Sequence, residues 1–265
     1  MGWYVPDLAA AGLRIHYASA PDAPRLPALV FLHGAGANHS VWLAQLAALR
    51  DRAWVIVPDL PGHGRSEPIP GLTIDEYASA IVPFLDALLD RLPALHDRKL
   101  VLAGHSMGGA IALAIALSRP EVLSGLVLVG SGARLGVSPQ ILEGLETAPA
   151  ATLAMIARWA FSPGADTDLI MQAVKDLSGT PVSRTLADFR ACNAFDVRDR
   201  VGSITVPALI VCGREDRMTP PKYSTFLAGA MPRASLTVLE GAGHAVMSEA
   251  PEALSSSIAD FLHKL

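Results

Sequence analysis

The apolar run Leu100-Val101-Leu102-Ala103 leads straight into Gly104-His105-Ser106-Met107-Gly108, and eight further apolar residues, Ala110 to Leu117, follow almost at once. An apolar run without alternation reads as a strand buried on both faces, as in a parallel sheet covered by helices. The small residues Gly108, Gly109, Ala110, Ala112 and Ala114 suit a helix lying close against that sheet. A G-x-S-x-G pentapeptide joining the two makes a sharp strand-to-helix turn. Its glycines avoid collisions with neighbouring backbone, and its serine stands clear of the main chain. The helix that starts there aims its free N–H groups and positive dipole end at the same point. The pentapeptide alone is a weak signal; its placement between strand and helix carries the reading.

At 265 residues, 51% hydrophobic and 17% charged, the chain can bury a large core and is not a disordered polymer. A formal charge of −4 gives no basic surface for nucleic acid. No apolar run approaches the length of a membrane span. Residues Met1 to Asp7 lack the basic and apolar regions of a signal peptide. Cys192 and Cys212 make no disulfide framework, so a reducing, cytoplasmic setting is expected. A monomer and a homodimer are equally compatible with the sequence.

Along the chain, Gly2–Val5 and Leu13–Ala18 read as an antiparallel pair. Strands are expected at 28–32, 53–58, 99–103, 123–129, 208–212 and 235–239. Helices are expected at about 40–49, 74–92, 106–117, 221–230 and 251–265, with Thr73 and Glu76 forming a capping box. Between residues 131 and 201 the pattern changes to helices alone, at about 139–146, 150–161, 166–177 and 182–194. Alternation of strand and helix implies a mainly parallel, doubly wound α/β sheet. The expected organisation is a core of residues 1–131 and 202–265 carrying a helical cap, 132–201.

A serine nucleophile needs a base, and the base needs an orienting carboxylate. His244, in the turn Gly241-Ala242-Gly243-His244 after the last expected strand, lies at a carboxyl end where a parallel sheet opens its crevice. Asp216 holds the equivalent place one strand inward, in Gly213-Arg214-Glu215-Asp216, where Glu215 is its rival. The order Ser106, Asp216, His244 is that of nucleophile, acid and base in one large class of hydrolases.

These residues, together with His33-Gly34-Ala35-Gly36 and Asp59-Leu60-Pro61-Gly62-His63-Gly64-Arg65-Ser66, resemble the α/β-hydrolase superfamily. The likeness runs from about Leu13 to Leu262, and it is to members with a helical cap between strands six and seven. It implies a triad of Ser106, Asp216 and His244, and an oxyanion hole from the backbone N–H groups of Met107 and Ala35. It makes Asp59 part of a structural loop. His33, Gly34, Leu135, Trp159 and Ala245 are candidate pocket residues, His33 with a bracing role as its rival. Ser106 stands where dehalogenases and epoxide hydrolases of this fold carry a carboxylate and where some lactone hydrolases carry a cysteine.

No His/Cys/Asp cluster has metal-ligand spacing, and no glycine-rich loop suits a phosphate or dinucleotide, so no metal or cofactor is expected. From Leu135 to Phe161 only Glu143, Glu146 and Arg158 are charged. A cap this apolar favours an uncharged acyl group. No arginine cluster stands out for a carboxylate-bearing or phosphorylated substrate. The expectation is a serine carboxylesterase acting on small to medium, mainly apolar esters as its small-molecule substrates. Carbon–carbon bond hydrolysis of a vinylogous diketone, lactone or thioester hydrolysis, and a ligand-sensing role with slow turnover are the alternatives.

Overall fold

A computed structural model describes residues 6–19, 26–69, 73–91 and 100–265. Its centre is an eight-stranded sheet in the order β1-β2-β4-β3-β5-β6-β7-β8. The strands are β1 (Asp7–Ala10), β2 (Leu13–Ser19), β3 (Ala28–Leu32), β4 (Trp54–Pro58), β5 (Leu100–His105), β6 (Leu123–Val129), β7 (Ala208–Gly213) and β8 (Ala234–Leu239). β2 pairs antiparallel with β1 and with β4, whereas every neighbouring pair from β4 to β8 is parallel. The carboxyl ends of β3 to β8 therefore share one edge of the sheet, where a crevice forms.

Every residue of β3, β4 and β7 is buried, and all but one of β6, which matches their unbroken Val/Leu/Ile runs. α1 (Leu43–Leu49) and α10 (Pro251–Leu262) cover one face of the sheet; α2 (Ile74–Leu89), α3 (Met107–Ser118) and α8 (Pro221–Ala230) cover the other. α3 is buried from Met107 through Ala116, so it is apolar all round rather than amphipathic. α2 starts at the expected box: the Thr73 hydroxyl accepts from the Glu76 N–H, and the Glu76 carboxylate accepts from the Thr73 N–H.

Between β6 and β7 lie α4 (Pro139–Thr147), α5 (Pro149–Ala160), α6 (Thr167–Ser178) and α7 (Val182–Ala194). They gather their own small apolar cluster around Ile141, Leu145, Leu153, Ile156 and Phe189. A short helix, α9 (Val246–Glu249), follows β8. Among the described residues no helix is long and apolar enough to cross a membrane.

Three local expectations change. The strand beside β2 is Asp7–Ala10, and the expected Gly2–Val5 lies outside the described residues. Ala11 and Gly12, both at positive φ, make the tight turn that sets this register. The helix expected from Ser40 opens as a 3-10 turn over His39–Trp42, capped by the Asn38 side chain, and becomes α-helical only at Leu43. α2 ends at Leu89 rather than Leu92.

β5 and α3 approach each other closely enough that no side chain fits between them. A Cβ placed on Gly104 would stand 2.2 Å from the carbonyl oxygen of Gly108, a backbone atom that cannot swing aside. Gly104→Ala should therefore lower stability by about 3 kcal/mol, read as a shift in the urea unfolding midpoint. An unchanged midpoint would mean that α3 can slide away from the sheet.

Candidate active site

Ser106 sits between β5 and α3 with φ 51° and ψ −114°. A non-glycine residue at positive φ is uncommon and persists only where its surroundings over-determine it. Here they do. The Ser106 N–H donates to the Val129 carbonyl at 3.0 Å, and its own carbonyl accepts from the Gly109 N–H at 3.0 Å and the Ser131 hydroxyl at 2.9 Å. The side chain makes no capping hydrogen bond, so the hydroxyl stays available. Met107 is the first residue of α3, and its N–H has no intrahelical acceptor.

His244 and Asp216 come from the loops after β8 and β7. His244 Nδ1 lies 2.8 Å from Asp216 Oδ2, and both side chains are buried. Asp216 also accepts from the N–H groups of Met218 (2.9 Å) and Thr219 (2.8 Å) and from the Thr219 hydroxyl (2.8 Å). Burial pushes this carboxyl upward. The imidazole of His244 and the Thr219 donors outweigh it and hold Asp216 below the usual carboxylate range. An ionised Asp216 accepts the hydrogen bond from His244 Nδ1–H, which fixes the tautomer and leaves Nε2 without a proton. The rival carboxylate, Glu215, has no recorded contact with His244; its N–H donates to the Ala242 carbonyl at 3.0 Å. Asp59 is engaged elsewhere, accepting from His39 N–H (2.9 Å), His39 Nδ1 (2.8 Å) and Arg65 N–H (3.1 Å).

Two cavities open beside Ser106. The larger, about 380 Å³, is lined by Gly34, Ala35, His105, Ser106, His244 and Ala245, and by Ile156, Ala157 and Leu177 from the helices between β6 and β7. The smaller, about 270 Å³, is lined by Ser106, Leu135, Ile141, Trp159, Thr219 and Tyr223, among others. Phe189 and Met218, like Ser106, border both. Of the candidate pocket residues, Gly34 and Ala245 thus face one cavity and Leu135 and Trp159 the other.

His33 lines neither, which corrects its reading as a pocket residue. It is fully buried: Nδ1–H donates to the Gly34 carbonyl and Nε2 accepts from the Leu60 N–H, both at 2.9 Å. Burial, reinforced by His63, lowers its pKa to about 3, so the ring is a neutral brace for the loop that carries Ala35. His105 packs under the turn: its Nε2–H donates to the His244 carbonyl at 3.0 Å and its ring lies 4.5 Å from that of His244. Burial and the neighbouring His244 lower its pKa to about 3 as well.

Sequence reasoning missed three supports. Thr219 was one, its hydroxyl lying 3.1 Å from His244 Nδ1 as well as on Asp216. Glu249, on α9, accepts from the Gly243 N–H at 2.7 Å and from the Ser162 N–H at 2.9 Å, tying the His244 loop to the end of α5. Asp188, on α7, is fully buried and accepts from Tyr77 Oη (2.6 Å), His63 Nε2 (2.7 Å) and the Gly36 N–H (2.9 Å). That last contact fixes the residue next to Ala35 from above. A polar residue inside the buried stripe Thr185, Asp188, Phe189, Cys192 was the available signal.

The sequence profile of the alpha/beta hydrolase family matches residues 29–256. 3-Oxoadipate enol-lactonase 2 of Acinetobacter baylyi is 28% identical, covering 95% of this chain and 94% of that protein. The uncharacterized hydrolase YugF of Bacillus subtilis is 31% identical, covering 95% of each. Among solved structures, a thermophilic esterase superposes with a TM-score of 0.87 at 29% identity, covering 99% of this chain and 98% of that one.

Two outcomes are expected. His33 is neutral when folded but titrates near pH 6.5 when unfolded, so the unfolded state gains a proton as pH falls through 6.5. From pH 7.5 to 5.5 this one group should cost about 1.4 kcal/mol of unfolding free energy. Urea titrations at the two pH values, repeated on His33→Gln, measure it; an equal pH dependence in the variant would refute the assignment. Asp188→Ala leaves three buried donors without an acceptor and should destabilise by about 3 kcal/mol or more. A loss under about 1 kcal/mol in the same titration would mean that water takes the carboxylate's place.

Proposed function

The chain belongs to the alpha/beta hydrolase family, and from that premise we propose that it is a serine hydrolase cleaving carboxylic esters through an acyl-enzyme on Ser106. The observation that carries this reading is the His244–Asp216 contact of 2.8 Å, because it fixes the imidazole with Nε2 free in the cavity that Ser106 also lines. His244 Nε2 takes the proton of Ser106 as Oγ attacks the ester carbonyl. It then returns that proton to the departing alkoxide, and Asp216 stabilises the cation in between. Water then attacks the acyl-enzyme, His244 acting again as base, and frees the acid and Ser106.

The developing oxyanion takes hydrogen bonds from the N–H groups of Met107 and Ala35, each worth about 3 kcal/mol in the transition state. Gly36, held by Asp188, and His33, held by Leu60, keep the Ala35 loop in place before substrate arrives. This is the preorganisation that makes such donors effective. Residues 132–201 act as the cap that excludes water from the acyl-enzyme and shapes the site. The larger cavity is lined chiefly by Ala, Val, Leu, Ile and Phe side chains and accommodates an apolar portion of the ester. A lactone is an internal ester and suits the same residues; the enol-lactonase relative supports that second reading.

The test is the initial rate on p-nitrophenyl esters from acetate to decanoate, wild type against Ser106→Ala. The variant should lose about 10⁴-fold or more in kcat with its unfolding curve unchanged, and the preferred chain length sizes the apolar cavity. A variant that keeps a tenth of the wild-type rate would end the serine mechanism.

A further inference from the structure

The two cavities beside Ser106 differ in chemistry. The larger holds one carboxylate, Asp176, which already accepts from Gln172 at 2.8 Å, and is otherwise mostly apolar. The smaller holds two cations, Arg217 and Lys222, and no acidic residue. Arg214, in the same loop as Arg217, is by contrast paired with Glu240 at 2.8 Å. Among the described residues no carboxylate lies within ion-pair distance of Arg217 or Lys222. In a chain with 25 acidic and 21 basic residues, a cavity whose only charged lining residues are cations reverses the overall balance.

Fold connectivity explains why no arginine cluster showed in the sequence. Arg217 follows Asp216 in the loop after β7, and Lys222 is the second residue of α8. Neither belongs to the cap. Arg217 adjoins Met218, whose N–H binds Asp216 at 2.9 Å, so the loop that aligns the acid also delivers the cation. Tyr223 and Ser138 add hydroxyl groups to the same lining.

We infer that the smaller cavity is an anion subsite, and that the preferred substrate is an ester or lactone with a carboxylate on one arm and an apolar group on the other. The inference rests on the serine-ester reading. Ser106, at the border of both cavities, would attack the carbonyl between the arms. The apolar arm would fill the 380 Å³ cavity, and the carboxylate would sit in the 270 Å³ cavity against Arg217 and Lys222. A planar guanidinium matches a carboxylate with two parallel N–H···O bonds, and an ammonium adds a second charge. A cap that is apolar over the larger cavity and cations that come from the core thus serve opposite ends of one molecule.

The experiment compares two matched pairs of esters. One pair places the charge on the acyl arm: mono-p-nitrophenyl glutarate against its methyl ester. The other places it on the alcohol arm: para-carboxyphenyl butanoate against its methyl ester. In one pair the charged ester should have a kcat/KM at least about tenfold higher, and the Arg217→Gln/Lys222→Gln double variant should lose that ratio. Salt from about 0.01 M to about 1 M shrinks the screening length from about 30 Å to about 3 Å and should erode it too. A ratio near one in both pairs for the wild type, or a ratio the double variant retains, overturns the subsite. Those results leave the serine reading standing as long as Ser106→Ala abolishes turnover of the neutral esters. Turnover of the neutral esters that survives Ser106→Ala sinks both.

Discussion

The approach of α3 onto β5 and β3 is the constraint on which the rest depends. Gly104 and Gly108 let backbone pass backbone at distances no side chain would permit: a Cβ on Gly108 would lie 2.3 Å from the Leu32 carbonyl oxygen. That closeness forces the chain to reverse within one residue, and the residue is Ser106 at φ 51°. The strain of order 1–3 kcal/mol is held by four hydrogen bonds on the Ser106 backbone and by an apolar helix buried on every side. The same contact places the first N–H of α3 beside the serine and the loop after β3 directly opposite. The candidate nucleophile and both candidate oxyanion donors are therefore consequences of a packing distance rather than separate features.

The helical insertion is stitched to the core on both sides of the serine. On one side, Ala245 N–H donates to the Ala160 carbonyl at 2.8 Å and Glu249 holds Ser162 and Gly243 together. On the other, Asp188 gathers Gly36, His63 and Tyr77. Each seam joins a cap helix to a loop that carries a candidate site residue, His244 in the first and Ala35 in the second. Any displacement of α5 or α7 would thus be felt at the base or at the oxyanion donors. Asp188, fully buried at the second seam, needs its donors in place, because an unpaired buried charge is far costlier than the pair is favourable. These are the contacts expected to set how readily the cap moves.

Local pattern made most of the fold legible. The unbroken apolar run at 28–32 and the mainly apolar run at 123–129 are strands with those bounds, and Thr73 with Glu76 starts α2 where the box predicts. Ser106 stood out because its surroundings in sequence are also its surroundings in space. Thr219, Glu249 and Asp188 did not, since their partners lie 3 to 152 residues away and a buried polar side chain looks like any other until its partners are known. Thr219 is the instructive case: it is adjacent to Asp216 in sequence, yet only the loop's turn shows that its hydroxyl reaches both acid and base. His33 misled for the opposite reason. A histidine beside a glycine-rich loop resembles a site residue, but the loop curls so that both ring nitrogens meet backbone.

Histidine–carboxylate pairs alone do not mark the reactive centre. Four occur among the described residues: His16–Asp7 at 2.7 Å, His39–Asp59 at 2.8 Å, His63–Asp188 at 2.7 Å and His244–Asp216 at 2.8 Å. What separates them is the environment of the second nitrogen. In His63 it faces the Pro61 carbonyl at 3.2 Å, so both ring nitrogens are turned to buried partners and neither opens into a cavity. In His244 it has no protein partner among the described residues, and the ring borders the cavity that Ser106 opens into. His33 and His105, whose rings lie in the same neighbourhood, are both held neutral by burial and spend their N–H groups on backbone carbonyls. They add no competing positive charge when His244 takes up a proton. On the proposed reading, His244 Nε2 is thus the basic ring nitrogen left open to the cavity that Ser106 also lines.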